Sequence, residues 1–110
     1  MKTLDIYAKE WLDEENANSY FAGLITLDKG TDKEKVYLMP FQYGYGSTYE
    51  QEAIRLLTEF NKISANYGSS LFSYCSENSI KFSSNIVFKC RLKDLKDIKV
   101  QYNQNILKHL

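Results

Sequence analysis

The sequence predicts an α+β fold: a three-stranded antiparallel meander, then an amphipathic helix, a short second helix and a fourth strand. Three observations carry that expectation. Apolar and polar residues alternate over 3–11 and 35–41, the period of a strand. Polar clusters, DEENANS at 13–19 and KGTDK at 29–33, interrupt the apolar runs with turn-forming residues. After Ser47 the apolar spacing lengthens from two residues to three and four, the spacing of a helix.

The elements follow in order. TLDIYAKEW at 3–11 places Leu4, Ile6 and Ala8 on one side and Asp5, Tyr7 and Lys9 on the other. YFAGLITLD at 20–28 is apolar on both sides, which marks a central strand. KVYLMPF at 35–41 puts Val36 and Leu38 on one face and Tyr37, Met39 and Phe41 on the other. Pro40 cannot donate to a ladder, so that strand is expected to be an edge there or to have ended. Ser47 and Glu50 fit a capping box, with the hydroxyl accepting from the Glu50 N–H and the carboxylate reaching back. A helix over 48–63 follows, with Tyr49, Ala53, Leu56, Leu57, Phe60 and Ile63 as one apolar stripe. SSLFSYCSEN at 69–78 reads as a second short helix with Leu71, Phe72 and Cys75 inward, and NIVFKCRL at 85–92 as the fourth strand. In 93–110, Leu95, Ile98, Tyr102, Ile106 and Leu110 fall at helical spacing while Ile98, Val100 and Tyr102 alternate. That segment stays open between helix and strand.

A chain of 110 residues has room for one core, so a single domain over 1–110 is expected. Its 44% hydrophobic and 25% charged residues are those of a globular chain and exclude wholesale disorder. Formal charge is zero, so no global field draws a polyanion. Residues 1–80 nevertheless carry a net −5 and residues 81–110 a net +5. Cys75 and Cys90 are too few for a zinc set and are expected reduced and buried. Met1 runs straight into a charged, patterned strand, so a cytoplasmic, non-membrane protein is expected.

The catalytic inventory is thin. His109 is the only histidine and sits one residue from the C-terminus, so no enzyme, no metal and no cofactor are expected. Carboxylates gather in the turns at Asp13, Glu14, Glu15, Asp28 and Asp32, and together they suggest an acidic surface for a basic cleft on a partner. Tyr43, Gly44, Tyr45, Gly46 and Tyr49 form the other candidate. Glycines before a helix N-terminus let backbone N–H groups approach a phosphate, and a tyrosine there stacks on a base. The run fits neither phosphate-loop fingerprint, and glycines that merely permit the turn explain it equally. Lys81, Lys89, Arg91, Lys93, Lys96 and Lys99 interleave with Phe82 and Phe88, but no nucleic-acid motif accompanies them, so nucleic acid is not the expected partner. The aromatic share of 15% leaves room for a homodimer.

The pattern Trp11, then Asn18-Ser19-Tyr20, then Pro40-Phe41, Tyr43-Gly44-Tyr45-Gly46 and Tyr49-Glu50 with Ala53 resembles a group of small phage- and prophage-encoded proteins. The resemblance covers the first sixty residues. It implies an accessory protein of a virus or mobile element, working in the host cytoplasm. Proteins of that kind bind and inhibit host or defence proteins, CRISPR effectors among them. The expected function is therefore a non-catalytic inhibitor with a host or defence protein as partner. The alternative is a nucleotide-binding sponge that uses the Tyr/Gly loop.

Overall fold

The strand that is apolar on both sides, β2 (Asn18–Leu27), lies inside a sheet with helices on both faces. The structure is a computed structural model that describes residues 1–64 and 70–108. Its other elements are β1 (Thr3–Asp13), β3 (Lys35–Tyr43), α1 (Thr48–Glu59), α2 (Leu71–Glu77), β4 (Lys81–Val87) and α3 (Leu92–Lys108). The sheet order is β3-β2-β1-β4. β1 and β3 flank β2 antiparallel, as the short turns require.

β4 corrects the expectation at 85–92. It lies at Lys81–Val87 and runs parallel to β1, from Thr3 opposite Lys81 to Lys9 opposite Val87. The sheet is therefore mixed. β3 and β4 run the same way, so the chain must travel back along the sheet between them, and α1 and α2 supply that return. β4 ends early because Lys89 takes a left-handed φ of 58°.

The strand does not stop at Pro40. Between Phe21 and Gly23 the partner on β3 jumps from Gln42 to Met39, so Pro40 and Phe41 together oppose Ala22. This bulge, on an edge strand, accommodates a residue with no N–H. It also resets the alternation. Phe41 and Tyr43 stand on the face of Leu38, not on that of Tyr37 and Met39.

On the first face, Ile6, Phe21, Ile25 and Met39 pack under Ala53 and Leu57 of α1 and Leu71 and Cys75 of α2. On the second, Leu95 and Ile98 of α3 cover Ala22, Leu24 and Leu38. The ambiguous 93–110 segment is thus helical through Lys108, because the second face of β2 needs a cover that an alternating strand would not supply. Val100, which alternation would have buried, is exposed.

Local details differ from expectation in four places. Ser47 has φ −79° and ψ 4°, not the extended N-cap conformation, and its side chain caps nothing. The Thr48 hydroxyl instead donates to the Tyr45 carbonyl at 2.7 Å. α1 ends at Glu59, where Asn61 turns left-handed and the Leu57 carbonyl accepts from Lys62, while Ile63 still reaches the core. Phe72 points outward from α2, and Cys90 is only half-buried.

The β2–β3 turn is tied to the start of the chain. The Asp28 carboxylate accepts from the Lys2 N–H at 2.6 Å and the Thr3 N–H at 3.2 Å. The Lys2 bond is the main cause that holds its pKa below the ordinary carboxylate value, with burial opposing. A depressed folded pKa stabilises above the unfolded value and loses that contribution as pH falls through the folded one. Asp28→Asn, which tolerates the left-handed φ of 50°, should therefore lower the urea midpoint at neutral pH. The difference from wild type should vanish in acid. A gap that persists there would refute the assignment.

Candidate functional site

One end of the sheet gathers the carboxyl ends of β1, β3 and β4, the start of β2, and the N-termini of α1 and α3. Strand register sets Trp11 opposite Tyr20 and Tyr20 opposite Tyr43, and the bulge adds Phe41. Trp11 and Tyr20 stack at 5.7 Å between ring centroids, Tyr20 and Phe41 at 5.0 Å, and Trp11 lies 6.4 Å from Phe41. Three such near-equal sides make a compact cluster, not a row across the strands. Tyr43 meets Tyr20 edge-on at 6.0 Å and is 61% exposed. Leu12, Phe41, Tyr45, Val87 and Phe88 are also exposed at this end.

Charge surrounds the cluster. A cleft of about 200 Å³ between the bulge and α3 is lined by Ala22, Leu38, Pro40, Phe41 and Leu95, with Lys96 and Lys99. Neither lysine forms an ion pair among the described residues. A wider groove of about 930 Å³ separates the acidic tip Asp13–Glu15 from Lys89 and Arg91. Asp94 accepts from the Arg91 N–H at 2.8 Å, and this bond is the main cause that holds its carboxyl below the usual range.

The five acidic residues do not share one face. Asp13, Glu14 and Glu15 sit at the β1–β2 tip, beside the aromatic cluster. Asp28 and Asp32 lie at the other end, separated by the length of β2, roughly 33 Å at about 3.3 Å per residue. Asp28 is engaged by backbone, and Asp13 ties its own turn through the Glu15 N–H and the Asn16 side chain.

The Tyr/Gly residues also part company. Tyr43 joins the rings of the second face, and Tyr45 is 65% exposed. Gly44 is pressed against the Phe21 ring, where a Cβ would stand 2.7 Å from a ring carbon. The Gly46 N–H donates to the Glu10 carboxylate at 2.8 Å, so the protein's own anion holds the seat that a phosphate would take. Tyr49 is buried, its hydroxyl 2.7 Å from the Ser84 hydroxyl, and burial pushes its pKa up.

Sequence reasoning missed Glu10 and the joining of Trp11, Tyr20 and Phe41, and it named Lys96 and Lys99 in the basic series without placing them at the Phe41 cleft. The Trp11–Tyr20 pairing was within reach, because a tip at 14–17 sets those two residues opposite each other. The basic series does not form one strip. Lys81 opens β4, Lys89 and Arg91 lie in the following loop, and Lys93, Lys96 and Lys99 lie on α3. His109 falls outside the described residues. Among those described, no three metal-ligating side chains converge, and no helix is long and apolar enough to cross a membrane. Comparison with protein-family models, curated proteins and solved structures gives no match for this chain.

Proposed function

We propose that the chain is a non-catalytic binding protein that occupies a surface of a host or defence protein, in the manner of a phage accessory inhibitor. The observation that carries this reading is the gathering of exposed Leu12, Phe41, Tyr43, Tyr45, Val87 and Phe88 at one end of the sheet. Exposed aromatic groups in one place, rimmed by charge, are the composition of an interaction surface. Tyrosine supplies rigid amphipathic contact area at low entropic cost. The acidic tip Asp13–Glu15 lies at the rim, where charge speeds association more than it strengthens the complex. This moves the working surface from the two acidic turns to the aromatic end.

Tyr43→Ala with Tyr45→Ala tests it. Both side chains are exposed, so the thermal midpoint should hold while affinity for a captured host protein falls about 100-fold or more. Glu14→Lys with Glu15→Lys should mainly slow association, and less so at high salt. Binding that survives both pairs of substitutions sinks the reading. The second reading, a nucleotide-binding protein, draws support from Lys96 and Lys99 at the Phe41 cleft, not from Gly46. Calorimetry of the folded chain against a nucleotide panel separates the two.

A further inference from the structure

β4 is an edge strand, and its backbone pattern is readable. The Lys81 N–H donates to the Lys2 carbonyl at 3.0 Å, so Lys81 faces β1. In a parallel pair, alternate residues turn both backbone groups to the same neighbour. Lys81, Ser83, Asn85 and Val87 therefore face β1, and Phe82, Ser84 and Ile86 turn their N–H and C=O groups outward. Among the described residues, no turn, loop or helix backbone bonds to those outward groups.

The two edges of the sheet are treated differently. Each edge strand opens on a lysine, but β3 also carries Pro40 and a bulge, devices that stop one edge from pairing with another. β4 carries neither proline nor bulge, and its only charge is Lys81 at the first position. An edge left this open is suited to pairing.

We propose that a second copy of the chain closes it, β4 against β4, antiparallel about a two-fold axis at Ser84. In that register each outward residue meets an outward residue. Phe82 faces the partner's Ile86, and Ser84 faces the partner's Ser84, each pair exchanging both backbone bonds. Phe82 and Ile86 are half-buried on the first face and would form aromatic–β-branched cross-strand pairs. On the second face Ser83 meets the partner's Asn85 and Lys81 meets the partner's Val87, so no like charges oppose. A slip of two residues loses one bonded pair and sets Phe82 against a serine. α3 lies over β3, β2 and β1, leaving the second face of β4 open to a neighbouring sheet.

Sedimentation of the full chain over a range of concentrations tests the proposal, with a charge swap to test the register. Ser83 and Asn85 are exposed, so folding should survive their replacement. Ser83→Asp with Asn85→Asp sets carboxylate against carboxylate twice and should raise the dimer dissociation constant about tenfold, less at high salt. Ser83→Asp with Asn85→Lys sets opposite charges face to face and should keep the dimer. A wild-type chain that stays monomeric at its highest soluble concentration overturns the proposal. Equal behaviour of the two variants overturns it as well. If the lone chain is monomeric but the Asp/Asp variant fails to bind a captured host protein, the edge serves a foreign strand instead.

Discussion

Gly23→Ala is expected to destabilise the fold by about 3 kcal/mol, the upper end of what an inserted methyl group costs in a packed interior. Gly23 lies in the central strand opposite Ala8, directly before the β3 bulge. A Cβ there would stand 2.6 Å from the Tyr7 carbonyl oxygen, 2.6 Å from the Met39 methyl carbon and 3.1 Å from the Ala8 Cβ. Met39 is flexible but fully buried, so its methyl group has little space to enter. The Tyr7 carbonyl is backbone in the β1–β2 ladder and cannot retreat without breaking it. Propensity alone predicts the opposite sign, because glycine weakens a strand interior. Urea unfolding followed by circular dichroism decides between the two. Met39→Val beneath Gly23→Ala should recover only part of the loss, since it relieves the methyl contact and leaves the carbonyl one. A midpoint that rises in Gly23→Ala would refute the account.

The elements with strong local patterns were legible in the sequence. The meander, α1, α2 and the doubly covered β2 follow from alternation, turn residues and helical spacing, which depend on neighbours in the chain. What was not legible depends on distant partners. Ile80, Phe82, Ser84 and Ile86 continue the alternation that 86–92 displays, so only pairing with β1 places the strand at Lys81–Val87. The bulge that moves Phe41 to the other face arises between β2 and β3 and leaves no mark except Pro40. The capping box failed because Ser47 takes a turn conformation in which its carbonyl, not its hydroxyl, accepts from the Glu50 N–H at 3.0 Å. The candidate site suffered most. Its residues come from four strands, two loops and a helix, and only the Trp11–Tyr20 pair was implied by register, because Tyr20 meets Tyr43 only through the bulge.

Phe21→Ala should cost about 4 kcal/mol, in the range for deleting a fully buried ring. Phe21 is 1% exposed, packed in the first-face core, and its ring is what a Cβ on Gly44 would strike. That Cβ would lie 2.7 Å from Phe21 Cε1 and 2.8 Å from Thr48 Cγ2. The Gly44 N–H is meanwhile fixed on the Ser19 carbonyl at 3.0 Å, so the loop cannot simply lift away. Gly44→Ala alone should therefore cost about 2 kcal/mol. In a Phe21→Leu background only part of that cost should disappear, because the ring contact is relieved while the Thr48 contact and the Gly44 φ of 157° remain. A double-mutant cycle measures the coupling directly, and additive effects would show that ring and glycine do not press on each other. The same contact joins stability to the proposed function. Gly44 lies between Tyr43 and Tyr45, so a loop displaced from Phe21 carries both exposed rings with it. Gly44→Ala should weaken partner binding under conditions where the protein remains fully folded, and adding Phe21→Leu should recover part of that binding.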